Sequence, residues 1–164
     1  MSADTGTTGH STLTEAPPPH PLEAFVGREL SAPEPFEVRA GAVRRFAEAI
    51  GGAGPEPGPP QSTAVPPTYA AVLSLEAAFS ALADPRLAAI WSQLVHSSQR
   101  FDYRRPLRVG DRLHASVTVA SVRRVAGNLL VDIVVELRDP AGALVCTSRT
   151  GLLVVAAEGG AGAA

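Results

Sequence analysis

From residue 113 to 119 every second position is apolar. Leu113, Ala115, Val117 and Val119 alternate with His114, Ser116 and Thr118, the period of a strand with one buried face. Leu129, Val131, Ile133, Val135 and Leu137 repeat the pattern, with Asp132, Glu136 and Arg138 pointing the other way. Gly127-Asn128 between the two runs predicts a hairpin turn. Asp139-Pro140-Ala141-Gly142 predicts a second turn, and residues 143–155 then form the last long strand. Upstream, residues 99–103 read as a strand leading into Arg105-Pro106, with a turn at Arg108-Val109-Gly110-Asp111. A short strand is expected at 36–38.

Two segments change period. Val43, Phe46, Ala47 and Ile50 recur at helical spacing, with Arg44, Arg45 and Glu48 on the opposite face. Gly51-Gly52 ends that helix, because glycine readily takes the left-handed conformation that follows a helix. Residues 51–65 are then so rich in Gly and Pro that no regular ladder is possible. A second helix spans 69–82, where only Ser74, Glu76 and Ser80 interrupt the apolar residues. Thr68 is its expected N-cap, and Asp84-Pro85 ends it. A helix apolar nearly all round is buried on most sides, and this one is about 21 Å long. One buried helix followed by an antiparallel meander is an α+β plan. A curved antiparallel sheet wrapped around one long buried helix is the hot-dog fold.

Composition narrows the range of functions. The 164 residues suit one domain, expected at 22–156. A disordered Thr/Gly/Pro-rich arm at 1–21 precedes it and a disordered Gly/Ala tail at 157–164 follows. The net charge of −2 argues against nucleic acid as a partner. All 14 basic residues are arginine, which excludes lysine Schiff-base or general-base chemistry. Cys146 is the only cysteine, so no intrachain disulfide forms, and the chain fits a reducing cytoplasm. No apolar run approaches the roughly 20 residues that span a bilayer, and the polar N-terminus is unlike a signal peptide. No membrane association, metal or cofactor is expected.

The run His96-Ser97-Ser98-Gln99, followed by a strand and by Pro106-Leu107-Arg108-Val109-Gly110-Asp111, resembles the N-terminal-type domain of MaoC-like dehydratases. That group typically carries a His-x-x-Gln start and a Pro-Leu-x-x-Gly-Asp turn. Val65-Pro66-Pro67-Thr68-Tyr69 is similar to the family's Pro-Pro-Thr-Phe lead into the central helix, and Gly27-Arg28-Glu29-Leu30 to its opening segment. The similarity covers about 130 residues. It implies dehydration of (3R)-3-hydroxyacyl thioesters, or the reverse hydration, on substrates carried by acyl carrier protein or coenzyme A. In catalytic members an Asp-x-Asn-x-x-His loop before the central helix holds the water that acts as general base and acid. The amide at that helix's N-terminus polarises the thioester carbonyl. Here the corresponding segment, 51–65, contains no Asp, Asn or His.

The resemblance therefore implies a non-catalytic subunit in bacterial fatty-acid or polyketide metabolism. Such a chain shapes the acyl tunnel while a MaoC-like partner supplies Asp and His. A dimer is expected, as a heterodimer with that partner or as a homodimer. Thr68, Tyr69, His96 and Gln99 are the candidate substrate-lining residues, beside capping, packing and backbone-bonding roles for the same side chains. Arg100, Arg104, Arg105 and Arg108 are candidates for docking the carrier or its phosphate, against the plainer reading of solvated strand ends. No catalytic residue is expected, although His96 and Glu76 are the candidates if one exists. Glu76 resembles the helix acid of other hot-dog dehydratases and thioesterases. There a histidine stands about fourteen residues upstream, where this chain has Ser62. Its alternative is a helix carboxylate satisfied by an arginine. Two other functions stay open: a stand-alone hot-dog thioesterase or dehydratase using Glu76 or His96, and a non-enzymatic acyl-thioester binding module.

Overall fold

A computed structural model describes residues 19–51, 64–87 and 94–155. The expected arm up to residue 18, the tail from 156, the Gly/Pro segment 52–63 and Ser62 lie outside the described residues. His20 and Pro21, assigned by the pattern to the arm, open a 3-10 turn over Pro21–Phe25, and His20 Nδ1 accepts from the Leu22 amide at 3.3 Å.

Six strands form one antiparallel sheet: β1 (Glu29–Ser31), β2 (Phe36–Glu37), β3 (Leu94–Tyr103), β4 (Arg112–Val125), β5 (Asn128–Arg138) and β6 (Leu144–Val154). Their order is β1-β4-β5-β6-β3, with β2 also paired to β4. β1 and β2 follow one another along the outer edge of β4, through Leu30 opposite Val117 and Phe36 opposite Leu113. That edge is thereby covered from Arg112 to Val119. β3 is ten residues long and, among the described residues, pairs with β6 alone, which leaves its far edge unpaired by any of them. Among the described residues the two α-helices are α1 (Ala40–Ala49) and α2 (Ala70–Ala81).

The alternation expected in the central strands is present. Leu113, Ala115, Val117 and Val119 of β4, and Leu129 to Leu137 at every second position of β5, are all buried. They enclose Ala70, Leu73, Ala77 and Ala78 of α2, which packs against β4, β5 and β6. The small alanines let the helix axis approach the sheet closely, which a curved sheet around a single helix requires.

Three expectations need correction. The hairpin turn is Ala126-Gly127, with φ of 48° and 82°, and Asn128 already pairs with Val125. A two-residue connection with both φ values positive matches the twist of the flanking strands. Thr68 does not cap α2. It lies exposed within a 3-10 turn over Pro67–Tyr69, and the helix N-cap position is Tyr69, with no side-chain cap. The fixed φ of Pro67 starts the turn before Thr68, so the hydroxyl sits inside the turn and not ahead of it. β3 begins five residues earlier than expected, which puts His96 inside the strand. α2 is open along one side only, where Val72 and Phe79 are 38% and 42% exposed and Glu76 and Ser80 are also exposed.

Candidate functional site

The turn before α2, β3 and α2 gather some of the candidate residues in two places. The first is a groove of about 420 Å³ along the open side of α2. It runs between that helix, the start of α1 and the segment before β2, and is lined by Phe36, Arg39, Tyr69, Val72, Leu73 and Glu76 among others. Tyr69 is buried and packs edge-on against Phe46 of α1, ring centroids 5.4 Å apart. Burial raises its phenol pKa above the ordinary value, and the negative charge of Glu76 adds to the rise. The expected arginine partner of Glu76 is not there: the carboxylate is exposed and makes no ion pair among the described residues. Arg39, on the same groove, is taken by Glu37 at 3.3 Å.

The second place lies where β3 ends, beside the start of α2. A smaller pocket of about 270 Å³ is walled by Val65, Pro67, Tyr103, Arg104, Pro106 and Leu107. Tyr103 Oη donates to the Pro67 carbonyl at 2.5 Å, which ties β3 to the turn that opens α2. Burial pushes the Tyr103 phenol well above its usual range. Sequence reading did not single out Tyr103, since a contact across 36 positions leaves no local signal. The opposite strand places Cys146 across from it, fully buried, with its thiol pushed up to about 11 chiefly by burial. A thiol held protonated in this way is a core side chain and not a nucleophile.

The four candidate arginines divide. Arg105 donates to both carboxylate oxygens of Asp111, at 2.7 and 3.2 Å, and Asp111 Oδ2 also accepts from the Arg108 amide at 2.9 Å. This pair holds the Gly110 turn, where φ is 92°, so Arg105 is structural. Arg100 pairs with Asp102 at 3.1 Å, and Arg149 approaches the same carboxylate at 3.7 Å. Arg104 lines the second pocket, and both Arg104 and Arg108 are exposed with no ion pair among the described residues.

His96 and Gln99 are both committed to the sheet. His96 Nε2 donates to the Ser98 carbonyl at 3.1 Å, beside a bulge in the β3–β6 ladder. Asp102 is six residues along the same strand, about 20 Å away by strand rise, and cannot orient the imidazole. Gln99 Nε2 donates to Ser148 Oγ at 2.7 Å and to the Arg149 carbonyl at 3.1 Å, while its Oε1 accepts from Thr150 at 3.0 Å. Its polar atoms thus satisfy two buried hydroxyls. Among the described residues no three His, Cys, Asp or Glu side chains converge as a metal site would require.

A six-stranded antiparallel sheet curved around one central helix, with an open groove along that helix, defines a MaoC-like hot-dog domain of α+β class. Residues 24–148 match the family described as "FAS1-like, dehydratase domain region", and the chain belongs to that family. It is 38% identical over 146 residues to a UPF0336 protein of Streptomyces avermitilis, covering 84% of this chain and 97% of the relative. Its fold is that of the C-terminally truncated HadBC (3R-hydroxyacyl-ACP dehydratase) complex from Mycobacterium tuberculosis, with TM-score 0.64 and 22% identity over 79% of this chain and 96% of that one. A MaoC-like dehydratase superposes with TM-score 0.68 and 26% identity, over 83% of this chain and 44% of the other. No helix among the described residues is long and apolar enough to cross a membrane.

Proposed function

We propose that this chain is a non-catalytic, substrate-shaping subunit of an (R)-specific 3-hydroxyacyl-thioester dehydratase of the MaoC-like type, the N-terminal-type half of a two-hot-dog unit. The observation that carries the reading is the segment leading into α2. Moving water across a carbon–carbon double bond needs a base and an acid on one water. Residues 51–65 contain no Asp, Asn or His, and His96, on β3, has its imidazole engaged with backbone. The dyad would come from a partner.

The free edge of β3 supports such a partner, since a long unpaired edge is normally covered by another strand, and the structural neighbour HadBC is itself a dehydratase complex. The first turn of α2, with Thr68 and Tyr69 at its start, would face the thioester end of the acyl group. Backbone amides at a helix start favour a carbonyl oxygen that gains negative charge. Arg104 and Arg108 would receive the phosphate of the phosphopantetheine arm, whether that arm belongs to acyl carrier protein or to coenzyme A.

The test is hydration of trans-2-enoyl thioesters by the purified chain, alone and mixed with the MaoC-like protein encoded beside it. Turnover is expected only in the mixture. Turnover by this chain alone would overturn the proposal and turn attention to Glu76 and His96.

A further inference from the structure

The groove along α2 holds a residue that its apolar walls do not explain. Tyr69, Val72, Leu73 and Glu76 recur at three- and four-residue intervals and all line the groove, so they form one stripe of the helix surface. Facing them, Phe36 supplies a further apolar wall; of the charges on that side Glu37 and Arg39 neutralise each other at 3.3 Å, and Glu34 stands on the exposed segment before β2. Glu76 is the one charge on the helix side of the groove, and no cation among the described residues pairs with it.

We propose that Glu76 sets the length of acyl chain this groove accepts, ending the favourable stretch about eight carbons from the helix start. The inference rests on the acyl-thioester reading above and adds the substrate range to it. Glu76 lies seven residues beyond Tyr69, about 10 Å along the helix axis at 1.5 Å per residue. An extended alkyl chain advances roughly 1.3 Å per carbon, from staggered bonds of about 1.5 Å. A chain anchored by its thioester at the start of α2 therefore runs over Val72 and Leu73 for about eight carbons before it reaches the carboxylate. Each methylene laid on the apolar stretch raises affinity about fourfold. The next ones would have to strip water from a carboxylate that has no compensating cation among the described residues, which is unfavourable. Affinity should therefore climb and then level off.

All these residues belong to this chain, so the test uses the purified full-length chain. Saturated acyl-pantetheine thioesters of increasing length, from four to fourteen carbons, are titrated by calorimetry into the wild type, Glu76→Leu and Glu76→Gln. For the wild type the affinity is expected to rise about fourfold per added carbon and to level near eight carbons. Glu76→Leu should extend the rise to twelve carbons or beyond, a gain of tenfold or more for the long chains, and leave the six-carbon affinity unchanged. Glu76→Gln should move the break in the same direction by less. Because Glu76 is exposed, neither substitution threatens the fold, and equal melting temperatures check this. A break at the same length in wild type and Glu76→Leu, or an equal change at every length, overturns the role of Glu76 alone. Failure of the wild type to bind any member of the series overturns the acyl-thioester reading itself.

Discussion

At the scale of single residues, Ala126 shows a local cost that the fold tolerates. Its φ of 48° is left-handed, where an L side chain crowds the following carbonyl at a cost of about 1–2 kcal/mol. The position is forced, because Val125 pairs with Asn128 and a two-residue hairpin needs positive φ at both turn residues. Asparagine accepts that conformation more readily than alanine. Ala126→Asn should therefore stabilise the chain by about 0.5–1 kcal/mol and raise Tm by a few degrees; an unchanged or lower melting curve would show that the turn is not strained. Residue identity was legible here and the turn position was not. Gly127-Asn128 looks like a turn pair, yet the ladder places the turn one residue earlier, since the burial of Leu129 with Val131 and Ile133 fixes the register.

At the scale of elements, α2 joins two surfaces that its pattern does not tell apart. Its apolar composition predicts burial on most sides, and the core takes the face bearing Ala70, Leu73, Ala77 and Ala78. The remaining face, with Val72, Glu76 and Phe79, becomes the wall of a groove. A sequence reading counts apolar residues and cannot tell those that meet a sheet from those that meet a ligand or a partner. The helix start carries its own test. Loss of a true N-cap costs about 1 kcal/mol, whereas Thr68 is exposed inside a 3-10 turn and caps nothing. Thr68→Ala should then shift the urea midpoint by no more than about 0.5 kcal/mol in stability. A loss of a full kilocalorie would restore the capping role.

At the scale of the whole molecule, the asymmetry of the sheet decides what the chain can join. One flank is covered along the first part of β4 by β1 and β2, and the other ends in β3, whose outer edge no described residue pairs. Val95 on that strand is 49% exposed, an apolar side chain on an open edge. If the MaoC-like partner pairs along β3, a lysine there should weaken association, as edge lysines generally do. Val95→Lys is expected to raise the Kd of the complex at least tenfold, measured by calorimetry, with Tm of the isolated chain unchanged. Undiminished affinity would place the partner elsewhere.

The sequence by itself determined the α+β plan, the central strands with their inward faces, the Gly110 and Gly142 turns, and the absence of an Asp/His pair ahead of α2. Each of these follows from local period, turn chemistry or residue type. Only the tertiary structure decided the rest. It assigned Arg105 to Asp111 and Gln99 to Ser148 and Thr150. It joined Tyr103 to Pro67 across the chain, and it set Glu76 beside Tyr69 in an open groove with no counter-ion among the described residues. Such facts depend on which distant residues the curvature of the sheet brings together, and contact between residues far apart in sequence leaves no trace in the local pattern of either.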